Sequence, residues 1–279
     1  MDISIVTPSL NMLPYLKCCA ASIADQQGVI AEHIVIDGGS TDGTLDWLAG
    51  NPHILSLSEK DRGMYDAVNK GLRLAKGEIL AYLNCDEQYL PGTLALVKNY
   101  FSENPGMDLL FGNFLVTRPD GSLVAFRKAF MPRRVYIYAS YLYTFTCTMF
   151  FRRRIVDEGL WFDPELRIAG DAEWLLRVLK SCYCAKHCPA YFSIFTDTGE
   201  NACRGKVAFA KARKEYCGEM PTWVKCGRYL INGVRLAEKI LRGNYWQTLP
   251  LEYAIYTVDN HVRRTHFAPP KKTFRWKNG

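Results

Sequence analysis

The chain has 279 residues, 48% of them hydrophobic and 23% charged, a composition that excludes a disordered polymer and suits one large α/β domain with a modest appendage. The formal net charge is +7, yet residues 201–279 hold 16 Lys+Arg against 5 Asp+Glu, a net of +11, so residues 1–200 carry −4. The basic character belongs to the tail, whose natural neighbour is an anionic surface, whether membrane, nucleic acid or a phosphorylated substrate. Residues 3–7 read as an apolar strand from the very start of the chain, with no basic segment and apolar run before it, so no signal peptide is expected. A helix over residues 14–25 follows, with Asn11 as its expected cap and Pro14 near its first turn. Residues 33–37 form a second strand, broken sharply by Gly38-Gly39-Ser40-Thr41-Asp42-Gly43. A short helix (45–49), a strand (54–57), a helix (65–75) closed by Gly77, and a strand (79–83) continue the alternation.

That alternation predicts a doubly wound, mostly parallel sheet flanked by helices, which binds ligands beyond the carboxyl ends of its strands. Past residue 105 the pattern changes. Residues 109–116 and 122–126 flank Arg118-Pro119-Asp120-Gly121 and read as a hairpin. Residues 135–151 are uncharged, rich in Tyr and Thr, and shorter than the roughly 20 apolar residues a spanning helix needs; they read as core strands and a pocket wall. A helix then carries Asp171-Ala172-Glu173-Trp174-Leu175-Leu176-Arg177. The ten cysteines read as free, mostly buried thiols in a chain neither small nor exported. Cys182, Cys184, His187 and Cys188 have zinc-ligand chemistry but not the paired spacing of a structural site, and alternation through residues 182–185 fits a buried strand.

Three acids stand just past apolar strands: Asp37, Asp61 and Asp86. Each alone reads as a loop carboxylate capping the next helix. Together at one rim of a sheet they point to ligand chemistry. A dinucleotide-binding oxidoreductase also places an acid after its second strand, but it needs a glycine-rich turn after the first. Here that turn is Thr7-Pro8-Ser9-Leu10-Asn11, which disfavours a dehydrogenase.

These residues resemble a known family. Residues 3–11, Val35-Ile36-Asp37-Gly38-Gly39-Ser40-Thr41-Asp42-Gly43-Thr44, Asp61-Arg62-Gly63-Met64-Tyr65-Asp66-Ala67-Val68-Asn69-Lys70-Gly71, Leu83-Asn84-Cys85-Asp86-Glu87, Phe162-Asp163-Pro164-Glu165 and Gly170-Asp171 onward look like family 2 glycosyltransferases of the GT-A fold, over about residues 1–195. The resemblance implies an inverting enzyme that transfers a sugar from a nucleotide-sugar, UDP-linked by preference, to a hydroxyl acceptor in surface polysaccharide or glycolipid synthesis. The other reading is a non-catalytic nucleotide-sugar-binding partner of a glycan assembly complex. By resemblance Thr7, Pro8, Asn11, Asp37, Asp61, Arg62, Asn84 and Cys85 line the nucleotide. Asp86 then holds Mn2+ or Mg2+, a hard cation that prefers carboxylate and phosphate oxygens, and Asp171 is the catalytic base. Thr146, Glu173 and Trp174 fall on the acceptor side.

The chain departs from the family pattern in two places. Asn84 stands where some members have a second acid, and Thr146 stands where many have His. Glu87 reads as a helper behind the metal or as a plain surface acid. Glu173 rivals Asp171 as base, but two residues along one helix point their side chains different ways.

The expected organisation is a catalytic domain over residues 1–200, with a nucleotide half (1–105) and an acceptor and base half (106–200), followed by a basic helical extension (201–279). In the extension, Leu230, Val234, Ala237 and Leu241 recur at helical spacing beside Arg228, Arg235 and Arg242. The plain reading packs this stripe on the catalytic domain. The alternative is an amphipathic helix on an anionic membrane face. The expected partners are the donor and a saccharide or lipid-linked acceptor, with no nucleic acid. The expected location is cytoplasmic, extending to the inner face of the membrane.

Overall fold

The structure, a computed structural model, describes residues 2–181, 183–199, 214 and 220–270. Its centre is a nine-stranded mixed, mostly parallel sheet ordered β3-β2-β1-β4-β8-β6-β9-β5, with β7 paired to β6 outside that path. The strands are β1 (Ile3–Ser9), β2 (Ala31–Asp37), β3 (Leu55–Ser58), β4 (Ile79–Tyr82), β5 (Glu87–Tyr89), β6 (Leu109–Thr117), β7 (Leu123–Arg127), β8 (Met149–Arg152) and β9 (Ala185–Thr196). The first four run parallel, with Ser9 beside Asp37 and Val6 beside Tyr82, so their carboxyl ends form one rim.

Beyond β4 the order changes. β8 runs antiparallel to β4 and β6, while β6 and β9 are parallel. The hairpin expected around residues 118–121 is present, with Gly121 N–H donating to Arg118 O.

Helices cover both faces, as near-continuous apolar strands require. On one face α3 (Met64–Leu74), α5 (Arg134–Ala139) and α7 (Gly170–Lys180) bury Val68, Ile137 and Trp174 against Val6, Ile34 and Leu80. On the other, α1 (Leu13–Ala24) and α4 (Thr93–Glu103) bury Ile23 and Val97 against Ile3 and Ile5. The short helices α2 (Thr44–Ala49) and α6 (Arg154–Asp157) complete this part of the chain.

Several local expectations are corrected. Asn11 does not cap α1: it adopts a left-handed φ of 52° and its Oδ1 accepts from Thr41 N–H. The orphan N–H of Leu13 is satisfied by Asp42 Oδ2 from the next loop (2.9 Å). α3 ends at Leu74, where Ala75 turns extended, ahead of Gly77. Residues 135–151 hold the end of helix α5, an irregular stretch over 140–145, a 3-10 turn (Thr146–Thr148) and strand only in β8. Tyr136, Ile137, Tyr138 and Ala139 of α5 are all buried. Cys184 is exposed and precedes β9 instead of lying in a buried strand, and Cys182 lies outside the described residues. Of the described free thiols, Cys18, Cys19, Cys85, Cys147 and Cys188 are buried.

The extension is not helical throughout. After α8 (Thr222–Cys226) and α9 (Arg228–Leu241), the chain forms the hairpin β10 (Leu251–Thr257) and β11 (Asn260–Ala268). The cause is a period-two pattern in which Leu251, Tyr253 and Ile255 pack on Leu115, Phe126 and Ile194. Residues 201–213 and 215–219 lie outside the described part. No described helix is long and apolar enough to cross a membrane.

Candidate active site

The parallel half brings the expected rim residues together. Asp37 ends β2 and is fully buried. Its Oδ2 accepts from Gly39 N–H (3.0 Å), Ser40 N–H (2.9 Å) and the Ser58 hydroxyl (3.0 Å), whereas its buried Oδ1 has no hydrogen-bond partner. Buried acceptors are almost always satisfied, so an orphan at a rim marks a place for an incoming donor. Asn84, just past β4, repeats the arrangement: its Oδ1 is buried and unpartnered.

Asp61 lies across Gly38, where a β-carbon would stand 2.7 Å from Asp61 Oδ2, so a side chain at 38 would displace the Asp61 carboxylate. Asn11 ties the β1–α1 loop to the loop after β2, with its own N–H donating to Ser40 Oγ. Pro8 and Cys85 touch through a Cys85 Sγ to Pro8 O contact of 3.4 Å. Burial pushes the Cys85 thiol up to about 12, so it is protonated at neutral pH.

Two of the nucleotide-side residues point elsewhere. The Thr7 hydroxyl is turned into the core, 2.9 Å from His33 Nε2, and burial holds that imidazole down to about 3. Only the main chain of Thr7 is left to face the rim. The Arg62 guanidinium pairs with Glu165 (3.1 Å) and Asp66 (3.5 Å), and Arg167 donates to Arg62 O. The loop around Asp61 is thereby clasped to the loop before α7.

Asp86 and Glu87 follow Asn84. Burial raises the pKa of both, and the neighbouring Asp86 charge raises Glu87 further. Glu87 is buried at the start of β5, where Asn84 N–H donates to its Oε2 (2.8 Å), which removes the surface-acid reading. Among the described residues no group of three His, Cys, Asp or Glu surrounds a metal position. Asp86 and the unpartnered Asn84 Oδ1 are hard oxygens of the kind a Mn2+ or Mg2+ ion takes, and a cation there would need further oxygens, as a phosphate group offers.

Asp171 sits in the first turn of α7, where helix N–H groups favour a carboxylate. Its Oδ1 accepts from Ala172 N–H (2.8 Å) and from the Tyr65 hydroxyl (3.3 Å). Gly170 is required beside it, because a β-carbon there would stand 2.6 Å from the Tyr65 ring. Burial, then Tyr65, then Asp171 raise Tyr82, and Asp171 is the smallest of the causes that raise Glu87 after burial and Asp86, so the base candidate lies within electrostatic reach of Glu87. Thr146, buried in its turn, hydrogen-bonds Tyr82 and is thereby tied to this group.

The other two acceptor-side residues are not tied to it. Glu173 is held by Arg177 (2.8 Å to Arg177 Nη2), which also donates to Trp161 O and removes Glu173 as a rival base. Trp174 is corrected outright: it is fully buried, donates to Leu160 O (2.7 Å) and stacks on Phe162 at 4.7 Å. Sequence reading missed Tyr65 as the partner of Asp171. Its place in the first turn after Gly63, ahead of the apolar face of α3, was the available signal. The Cys184, His187 and Cys188 group makes no metal site among the described residues, and His187 Nε2 bonds Asn113 Oδ1 (3.1 Å).

The chain is similar in sequence and fold to known proteins. The sequence model of Glycosyl transferase family 2 matches residues 4–160. A PGL/p-HBAD biosynthesis glycosyltransferase of Mycobacterium bovis is 38% identical over 121 residues, 40% of this chain and 46% of that protein. The chain thus matches under half the length of that relative. An uncharacterized glycosyltransferase of Mycobacterium tuberculosis is 31% identical over 193 residues, covering 64% of this chain and 70% of that protein. Among solved structures, S. aureus TarS 1-349 in complex with UDP-GlcNAc superposes with a TM-score of 0.61 at 14% identity, over 96% of this chain and 100% of that one. Pyrobaculum calidifontis mannosyltransferase PcManGT, in complex with GDP-Man and Mn2+, gives 0.53 at 17% identity, over 85% and 75%. At these identities the structural likenesses establish the fold.

Proposed function

We propose that this chain, which belongs to Glycosyl transferase family 2, moves a sugar from a UDP-sugar to a hydroxyl acceptor during synthesis of a surface polysaccharide or glycolipid. The observation that carries the reading is the unpartnered, buried Asp37 Oδ1 at the rim of the parallel strands. A nucleobase N–H is the donor it lacks, and uracil offers one. The solved relative in complex with UDP-GlcNAc supports that choice of nucleotide. Residues 1–200 would be the catalytic part, split near residue 105 into nucleotide and acceptor halves, with residues 201–279 as the extension.

In the proposed inverting reaction the acceptor oxygen attacks the anomeric carbon in line as the bond from that carbon to the diphosphate oxygen breaks. Asp171 takes the hydroxyl proton, and the Tyr65 hydroxyl holds its carboxylate in place. Mn2+ or Mg2+, held by Asp86 and the Asn84 amide oxygen, would supply charge neutralisation for the departing diphosphate. Glu87 sits buried behind this pair and orients the Asn84 main chain. Thr146, tied to Tyr82, lies on the side left for the acceptor.

The test is a thermal-shift series of nucleotide diphosphates with and without Mn2+. UDP should raise the melting temperature, and more so with the metal, by ligand linkage. A shift with NAD and none with any nucleotide diphosphate would overturn the reading.

A further inference from the structure

The tail meets the catalytic part in two unlike ways. α9 turns its polar side inward: Arg228 Nε and Asn232 Nδ2 both donate to Ala139 O at 2.9 Å, and Glu238 accepts from the Tyr136 hydroxyl (2.9 Å). The stripe of Leu230, Val234, Ala237 and Leu241 therefore points away from the domain, the reverse of the plain expectation, with Leu230 74% and Leu241 87% exposed. The β10–β11 hairpin does the opposite. It buries Leu251, Tyr253 and Ile255 and grips β5, the three-residue strand that begins at Glu87, directly after Asp86.

An edge strand presents unpaired N–H and C=O groups on its outer side. β5 is the last strand of the sheet and pairs with β9 alone, Glu87 beside Phe195, Gln88 beside Ile194 and Tyr89 beside Ser193. Its outer side is closed by side chains from α1 and the hairpin. Ser22 Oγ accepts from Tyr89 N–H (3.1 Å), and Arg263 Nη2 of β11 donates to Tyr89 O (3.0 Å). Gln88, buried, uses both ends of its amide on β10: Nε2 donates to Tyr256 O and Oε1 accepts from Tyr256 N–H, each at 2.9 Å. Arg263 is itself fixed. Its guanidinium pairs with Asp25 at the end of α1 and lies over the Tyr256 ring at 5.0 Å, and the Tyr256 hydroxyl donates to the same Asp25 (2.8 Å).

The turn that bears Asp86 hangs from this strand. Glu87 N–H donates to Asn84 O (3.1 Å), Asn84 N–H to Glu87 Oε2 (2.8 Å), and Thr196 N–H, at the end of β9, to Asp86 O (2.8 Å). Gln88, Thr196 and Tyr256 border one narrow crevice, so the hairpin adjoins both supports of the turn.

We propose that the C-terminal hairpin sets the place of the Asp86 carboxylate, with Gln88 and Arg263 as positioning residues that act through β5. This role rests on the reading of Asp86 and Asn84 as oxygens for Mn2+ or Mg2+. A small hard cation tolerates little error in where its oxygens stand, and groups that hold metal ligands from behind change metal affinity by roughly 10–100-fold when removed. The hairpin lies outside the residues matched by the family model, which end at 160, so it is a support that the tail adds to the matched part.

The experiment follows the UDP thermal shift of the full chain as Mn2+ is titrated, beside the shift given by UDP alone and the melting temperature of the free protein. Gln88→Leu keeps the bulk of the side chain and removes both bonds to Tyr256. It should raise the Mn2+ concentration at half-maximal shift about ten-fold and leave the metal-free UDP shift unchanged. Gln88→Glu keeps an acceptor for Tyr256 N–H and should recover part of that loss. Arg263→Lys keeps a charge beside Asp25 but gives up the fork that also reaches Tyr89 O, and should raise the half-point several-fold. Tyr253→Phe is the control. It removes a bond from the same hairpin to Gly121 O (2.9 Å) that does not touch β5, and should leave the Mn2+ half-point in place while the free protein melts lower. Half-points of Gln88→Leu and Arg263→Lys that match the wild type overturn the positioning role. So does a Tyr253→Phe half-point that moves as far as theirs, which would make the hairpin a source of stability only. Loss of the metal-free UDP shift in Gln88→Leu overturns it as well, by placing the effect in the nucleotide pocket. A wild type whose UDP shift ignores Mn2+ overturns the metal reading along with this role, whereas a responsive wild type with unmoved variants overturns this role alone.

Discussion

α7 and α9 are both amphipathic helices on the same side of the molecule, and they are packed in opposite senses. α7 buries Ala172, Trp174, Leu175, Leu176 and Val178 against the sheet and leaves Asp171 in its first turn outside that buried set. α9 turns its polar residues inward and leaves its leucines in water. The difference follows from what each helix meets. Behind α7 lie the apolar side chains of β4, β8 and the 160–169 loop, including Phe151 and Phe162. Behind α9 lie the end of α5, with its Ala139 carbonyl, and a cluster in which Tyr136 and Arg133 donate to Glu238 while the Tyr141 ring takes Arg235. A helix end with unsatisfied carbonyls attracts donors, so Arg228 and Asn232 face it and the apolar stripe is left outside.

The largest expected effect comes from removing the charge that α7 presents. Asp171→Asn should lower transfer on the order of 10²–10⁴-fold while the UDP thermal shift persists; loss of the shift would move Asp171 from the acceptor side to the nucleotide. The packing contrast itself is broken or kept by two substitutions in urea denaturation. Trp174→Ala should cost ~3–5 kcal/mol, whereas Leu241→Ala should stay within about 0.5 kcal/mol. A cost of several kcal/mol for Leu241 would mean that its face is covered in the free chain.

Lys239 sharpens the contrast from the inner face of α9. Burial, with Arg127 and Arg235 nearby, lowers it to about 8 from an ordinary value near 10.5. Between these values the unfolded chain holds the extra proton, so stability should rise as pH climbs from about 8 to 10.5. Lys239→Met should remove that slope in pH-dependent melting, by ~1–3 kcal/mol across the window. At the nucleotide rim, Asp37→Asn should weaken UDP by ~1–3 kcal/mol in calorimetry; unchanged affinity would detach Asp37 from the base.

Tyr65→Phe should have the smallest effect, ~0.5–1.5 kcal/mol on kcat/KM with UDP affinity untouched. Its hydroxyl oxygen lies 3.3 Å from both Asp171 Oδ1 and Ile168 O and has one proton for the two, so its loss removes a shared restraint on the carboxylate. An unchanged kcat/KM in steady-state assays would make Tyr65 a packing residue only.

Much of the molecule is legible in the chain because it depends on local pattern. Strand–helix alternation over residues 3–83, the acids past each apolar strand, and the ordered motifs are properties of neighbours in sequence, and they led to the parallel rim and the family. Period and spacing also placed the apolar stripe of α9 on the correct residues.

Periodicity states that a helix has two faces but not which one the rest of the protein covers, because that is set by residues distant in the chain. Only the tertiary structure therefore decided that Trp174 is core, that Glu173 belongs to Arg177, that Tyr65 serves Asp171 across 106 positions, and that Glu87 is buried beside Asp86. The same holds for the tail, where pairing of residues 251–257 with 260–268 over a distant apolar patch made a hairpin in a segment read as helix. Partners far apart in sequence leave no local signal, and the reversed burial of α9 is the clearest case of it.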